Sequence, residues 1–150
     1  VPAVLVSCGT MEKPTALTIA WTGIICSDPA KTYISVRPER NSYNIIKESG
    51  EFVINMMPST LVRSLDYCGI KSGKNEDKLG KMKLYPQESN TVSAPQIAQA
   101  PISIECKVTE ILPQGSHDMF ALGKKIGTFG FSVKPKRTKK PHKDSHKKKK

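Results

Sequence analysis

Between Arg37 and Ser42 the chain reads RPERNS, which sets two guanidinium groups, an amide and a hydroxyl within six residues. A helix starting at that point adds its free backbone N–H groups, and every one of these groups donates to anions. The chemistry this spacing suits is anion capture, with a phosphate as the natural guest. Pairing of Arg37 and Arg40 with surface carboxylates such as Glu39 or Glu48 is the competing reading. A second cluster, Ser116-His117-Asp118, has the residue types of a nucleophilic relay. Three consecutive residues cannot take up relay geometry, however, because its partners must be brought together by the fold. Cys8, Cys26, Cys68 and Cys106 lie 18, 42 and 38 residues apart, with no CxxC pair. A zinc or iron–sulfur site is therefore not expected, and four reduced, mostly buried thiols in a cytoplasmic protein are the simplest reading, although the even number permits disulfides.

The elements that must position the anion site follow from periodicity. Leu17, Ile19, Trp21 and Gly23 alternate with Thr18, Ala20 and Thr22, and apolar Ile24 and Ile25 continue the pattern, so one strand is expected from Ala16 onward. Ser27-Asp28-Pro29 supplies a turn, and Tyr33 to Val36 a second strand that delivers the RPERNS corner to a helix over Tyr43–Ser49, closed by Gly50. Ala3 to Ser7 reads as a first strand and Glu51 to Met57 as another. Ser59 or Thr60 can cap a helix with Leu61, Val62 and Leu65 on its apolar side and Gly69 at its end. Residues 71–83 form a polar loop, and 94–101 a proline-bounded linker. Ile102 to Leu112 alternates as a strand with one buried face, Ile102, Ile104, Cys106 and Val108 against Ser103, Glu105, Lys107 and Thr109. The class is mainly β with short helices.

Many of these segments, in this order, resemble the flavin reductase-like, flavoredoxin-type family. The resemblance runs through SCGT, KPTALTIAWTGIICSDPAKTYISVRPERNSYNIIKESGEFVINM, DYCGIKSGKNEDKL, PISIECKV, GSHD and LGKKIGTFGFSV, over nearly all of residues 1–133. It implies an FMN-binding split β-barrel, a homodimer, and hydride transfer from NAD(P)H to the flavin. Carried onto this sequence, it implies FMN contacts at Thr15, where relatives usually have Asn, and at Trp21 beside the ring system. It also implies contacts at Arg37, Arg40, Asn41 and Ser42, at Lys78, which reaches the phosphate or ring edge, at His117, and at Phe129 or Phe131. Trp21 and either phenylalanine can equally be core aromatics. The family carries several tens of residues between Phe120 and Ala121 that this chain lacks. An incomplete barrel is expected, with an edge or apolar face of the Ile102–Leu112 strand unpaired.

Charge separates a domain from a tail. The formal net charge is +11, but residues 134–150 hold ten Lys or Arg against one Asp. Residues 1–133 are nearly balanced, fourteen basic against twelve acidic. The tail has no residue to bury and is expected to be disordered, either a solvated appendage or a weak binder of nucleic acid. There is no run of eighteen apolar residues, so no membrane span is expected, and Val1 to Val6 reads as a strand rather than a leader. The absence of an acid, base or nucleophile constellation suits a protein whose chemistry is carried by a cofactor. A flavin-binding electron-transfer or storage protein, and a fragment whose basic tail is the interacting part, remain the alternatives.

Overall fold

The computed structural model describes residues 2–122 and the backbone of a strand over 130–133. Phe129 and the basic tail lie outside the described residues. The chain order is β1 Val4–Gly9, β2 Pro14–Ile19, β3 Thr22–Ser27, β4 Ala30–Val36, α1 Asn41–Ser49 and β5 Glu51–Met56. A 3-10 turn over Ser59–Leu61 then leads into α2 Val62–Ile70, followed by the single-turn α3 Lys78–Lys81. β6 Pro86–Gln87, β7 Gln96–Ile97, β8 Ile102–Lys107, β9 Glu110–Pro113, β10 Asp118–Leu122 and β11 Gly130–Val133 complete it.

Two open sheets carry the architecture. One has the order β11-β8-β5-β1-β2, the other β3-β4-β10-β9, and β6 and β7 form a small separate ladder. Period-two alternation places Val4, Val6 and Cys8 of β1, Phe52 and Ile54 of β5, and Ile104 and Cys106 of β8 in one core. Ile34 and Val36 of β4, Phe120 and Leu122 of β10, and Tyr43 and Ile46 of α1 meet them there. The opposite face of the larger sheet is covered too, as Leu5 and Ala16 pack with Cys68, Leu79, Leu84 and Ile97 from α2, α3 and the segment beyond.

That second cover corrects one expectation. β8 ends at Lys107, and its polar face is not solvated, because Ser103 and Glu105 are buried. Asn55 accounts for the first of them. Its amide donates to the Leu5 carbonyl at 3.0 Å and the Ser7 hydroxyl at 2.9 Å, and accepts from the Ile97 N–H at 3.0 Å and the Ser103 hydroxyl at 2.9 Å. Glu105 accepts the Asn90 N–H at 2.8 Å, and the N–H and hydroxyl of Thr91 at 2.6 and 2.5 Å. Burial acts to raise its carboxyl, and these donors overcome it, leaving the group below the usual range.

The expected strand over Ile102–Leu112 is split between the sheets: its second half is β9, at the edge of the smaller sheet and paired with β10 alone among the described residues, whereas its first half, β8, has no bare edge. β8 pairs with β5 on one side and with β11 on the other, Val133 opposite Ile102 and Gly130 opposite Glu105. The join at Phe120–Ala121 falls inside β10, which pairs without a break with β4 from Asp118↔Val36 to Leu122↔Thr32. Two smaller readings change as well. Val62 is exposed and Gly69 lies within α2, which ends at Ile70. The Ala16 strand is two strands in two sheets, with Ala20 and Trp21 between them.

Candidate functional site

The RPERNS corner forms as its residue types dictate. Pro38 and Glu39 make a turn closed by the Arg40 N–H to the Arg37 carbonyl at 3.0 Å. Arg40, with extended φ, is the N-cap of α1, and its carbonyl accepts the Tyr43 N–H at 3.0 Å. The helix stops at Gly50, whose φ of 67° is the left-handed cap that a glycine takes without strain. Arg37 and Arg40 are exposed, and neither Glu39 nor Glu48 pairs with them. The ion pairs among the described residues are Lys81–Glu76 and Lys107–Glu51.

Beside the corner, a cavity of about 150 Å³ is lined by Trp21, Arg37, Arg40 and His117, together with Leu17, Thr18 and Ile19 of β2. Trp21 comes here because it sits where the chain leaves β2 and enters β3. The Trp21 carbonyl accepts the Ser35 N–H at 2.9 Å, which fixes the backbone while 55% of the residue stays exposed. The His117 ring lies against the indole, centroids 4.0 Å apart and planes tilted by 40°. Ser116 Oγ is 2.9 Å from His117 Nδ1, but Asp118 turns away and accepts the Tyr43 hydroxyl at 2.6 Å. The three consecutive residues therefore form no relay.

A second cavity of about 150 Å³ also includes Arg40 and is lined by Glu39, Asn41, Ser42, Lys71, Ser72, Gly73 and Lys78. Lys78, expected here from the family resemblance, is unusual in its burial. The residue is only 5% exposed, and its ammonium donates to the carbonyls of Cys68 at 3.1 Å and Lys71 at 3.2 Å, groups freed at the C-terminal end of α2. Burial lowers its pKa from the ordinary 10.5, and repulsion from Arg40 acts in the same direction. It has no carboxylate partner among the described residues. The cavity sets one carboxylate, Glu39, against Arg40, Lys71 and Lys78, and the buried ammonium itself is held by carbonyls alone, which leaves the site short of negative charge.

The loop closes tightly over this cleft. A Cβ on Gly73 would stand 2.7 Å from Thr15 Oγ1 and 3.1 Å from Asn41 Nδ2, with Lys78 Cε at 3.6 Å. A side chain here would push the Thr15 hydroxyl aside and crowd the Asn41 amide, so the glycine leaves room for the three side chains to approach one another. Ser42 is almost fully buried and lies against the Cys8 thiol, which burial pushes up to about 11. Of the residues expected at the site, Trp21, Arg37 and His117 share the first cavity; Asn41, Ser42 and Lys78 share the second; Arg40 lines both. Thr15 borders the cleft at Gly73. Sequence reasoning passed over Gly73 and Ser72. Their only local signal is the SGK step inside the polar loop.

Residues 1–123 match the family described as Flavin reductase like domain. An uncharacterised protein of Archaeoglobus fulgidus is 30% identical over 110 residues, 73% of this chain and 62% of that protein. The chain thus spans less than two thirds of that relative's length. Among solved structures, flavoredoxin of Desulfovibrio vulgaris superposes with a TM-score of 0.78 at 32% identity, over 89% of this chain and 69% of that one. An FMN-binding protein of Thermus thermophilus has the same fold, with a TM-score of 0.72 at 18% identity, over 83% of this chain and 68% of that one. The two open sheets are thus one member's version of a shared scaffold: the chain belongs to the flavin reductase like domain family.

Proposed function

We propose that the chain binds FMN and serves as an NAD(P)H-dependent flavin oxidoreductase. The observation that carries this reading is the cleft at Gly73, where a buried, carboxylate-free Lys78 meets Thr15, Asn41 and Arg40 next to a cavity walled by aromatic rings. The donor set fits a phosphomonoester. Lys78 and Arg40 supply charge, Asn41 and Thr15 supply hydrogen bonds, and the N-terminus of α1 faces the same cleft through Asn41 and Ser42. Arg37, Trp21 and His117 would hold the ring system in the neighbouring cavity.

FMN, when bound, supplies the capacity to accept and return a hydride. The residues orient it. Lys78 and Arg40 fix the phosphate end, the Trp21–His117 pair shields one side of the ring cavity from water, and the open mouth of that cavity leaves room for a nicotinamide. Exposed Ile24 and Ile25 on edge strand β3, beside Trp21, would be covered in a homodimer. Among the described residues no helix is long and apolar enough to cross a membrane.

The test is a flavin titration followed by stopped-flow reduction. FMN is expected to bind at least tenfold more tightly than riboflavin, which lacks the phosphate, and to bleach with NADH or NADPH. Equal binding of the two flavins would remove the phosphate assignment. Tight FMN that neither nicotinamide bleaches would make the chain an electron-transfer or storage protein instead.

A further inference from the structure

The Arg37–Ser42 corner is held at both of its ends by one residue. Val36, the last residue of β4 before Arg37, lies opposite Asp118 in the ladder with β10. Tyr43, which follows Ser42 in α1, donates its hydroxyl to Asp118 Oδ2 at 2.6 Å. Residues 37–42 are thereby a loop closed at its base, with both flanks fastened to Asp118. The fastening is firm. The Tyr43 ring is buried and stands edge-on against Phe120 of the same strand, centroids 5.4 Å apart and planes at 77°. A carboxylate is a stronger acceptor for a hydroxyl than a neutral group, and the bond raises the Tyr43 pKa, so the proton stays in it.

Asp118 lines neither the ring cavity nor the phosphate cleft, and it forms no ion pair among the described residues. Its chain neighbour does reach the ring cavity. The His117 carbonyl accepts the Gln114 N–H at 3.0 Å, which closes the turn leading into β10, and the His117 ring lies on Trp21. Consecutive residues at one strand end thus carry the wall of the ring cavity and the anchor of the corner. We propose that Asp118, through Tyr43, is a positioning residue that sets the distance between the corner and the ring cavity, so that the phosphate and the ring system of one FMN are met together. The inference rests on the FMN reading and adds the element that couples its two halves. A ligand that bridges two subsites gains fully from both only when their spacing is fixed before it arrives. An unfastened corner still attracts an anion and the ring cavity still takes a ring, but the second contact then costs the ordering that the Tyr43–Asp118 bond has already supplied.

The experiment titrates FMN and riboflavin into the parent, Tyr43→Phe, Asp118→Ala and Asp118→Asn, and reads the ratio of the two affinities. That ratio does not depend on how much of a variant is folded, because both flavins draw on the same folded population. Tyr43→Phe keeps the buried ring and loses only the hydroxyl, and Asp118→Asn keeps an acceptor for it. Tyr43→Phe and Asp118→Ala are each expected to lower the preference for FMN by about fivefold, while Asp118→Asn stays within about twofold of the parent. The double variant Tyr43→Phe/Asp118→Ala is expected to fall no further than either single one, since both remove the same bond. Variants that keep the parent's preference, or that weaken FMN and riboflavin alike, overturn this inference and leave the FMN reading standing. Asp118→Asn that fares no better than Asp118→Ala overturns it too. A parent that binds the two flavins equally overturns the FMN reading, and this inference with it.

Discussion

Two regions place cations on the same cleft, and they do so by opposite means. At the Arg37–Ser42 corner the cations are exposed, carried by a turn and the first residue of a helix cap, and their fields are weakened by water. In the segment from Lys71 to Lys81 the cation is buried, and two carbonyls from the end of α2 fix its position before any ligand arrives. An anion reaching Arg40 trades water for a guanidinium. One reaching Lys78 meets an ammonium already stripped of water, where attraction is stronger and salt matters less. On the proposed reading, the corner would gather the ligand and the loop would grip it.

Replacing the grip should have the largest effect. Lys78→Met is expected to weaken FMN by about a hundredfold, roughly 2.7 kcal/mol, and the loss should persist at high salt. A loss below threefold would place the phosphate elsewhere. Arg40→Ala should cost about tenfold at low salt, shrinking as ionic strength rises, because an exposed guanidinium is screened. If Arg40→Ala is the more damaging and the less salt-sensitive of the two, the contrast between the regions is reversed.

A pH series sharpens the same comparison. The lowered pKa of Lys78 means that its proton leaves below the ordinary 10.5. An anion favours the protonated form, so FMN affinity is full below that lowered pKa and declines as pH rises through it, before 10.5 is reached. Riboflavin titrated in parallel corrects for everything but the phosphate. Lys78→Arg, which stays charged throughout, should flatten the curve; a parent curve as flat as the variant's would deny Lys78 the role. The smallest effect lies between the regions, at Cys8, which touches Ser42 of the corner and feels Lys78 of the loop. With its thiol pushed up to about 11, Cys8 should resist alkylation at pH 8 while the half-buried Cys26 reacts, as peptide mapping would show.

The corner was legible in the sequence because its determinants are local. Pro38, the N-cap position, the helix behind it and Gly50 are all written within fourteen residues. Lys78 was selected through the family resemblance alone. Its burial is decided by Cys68 and Lys71 carbonyls that only α2 brings within reach, and nothing in EDKLG marks that. Alternation failed in a similar way at β8, where Ser103 and Glu105 read as a solvent face. Glu105 is capped by the N–H groups of Asn90 and Thr91, and Ser103 donates to the Asn55 amide oxygen, which also takes the Ile97 N–H, so the cover is bound through polar groups that alternation does not register. Alternation also carried one strand straight through Ala20 and Trp21, since a period of two holds on either side of a change of sheet.

That change of sheet has a consequence for measuring motion. Trp21 is the single tryptophan of the chain, and it stands on the two-residue passage that joins the ladder of β2 to the ladder of β3. Its carbonyl is tied to β4 in the smaller sheet, while the residue before it continues from β2 in the larger. The indole is therefore a gauge mounted across the gap between the sheets. Bending of that passage changes the indole's distance from His117, and the decay of its fluorescence, with no label added, records how often this contact opens.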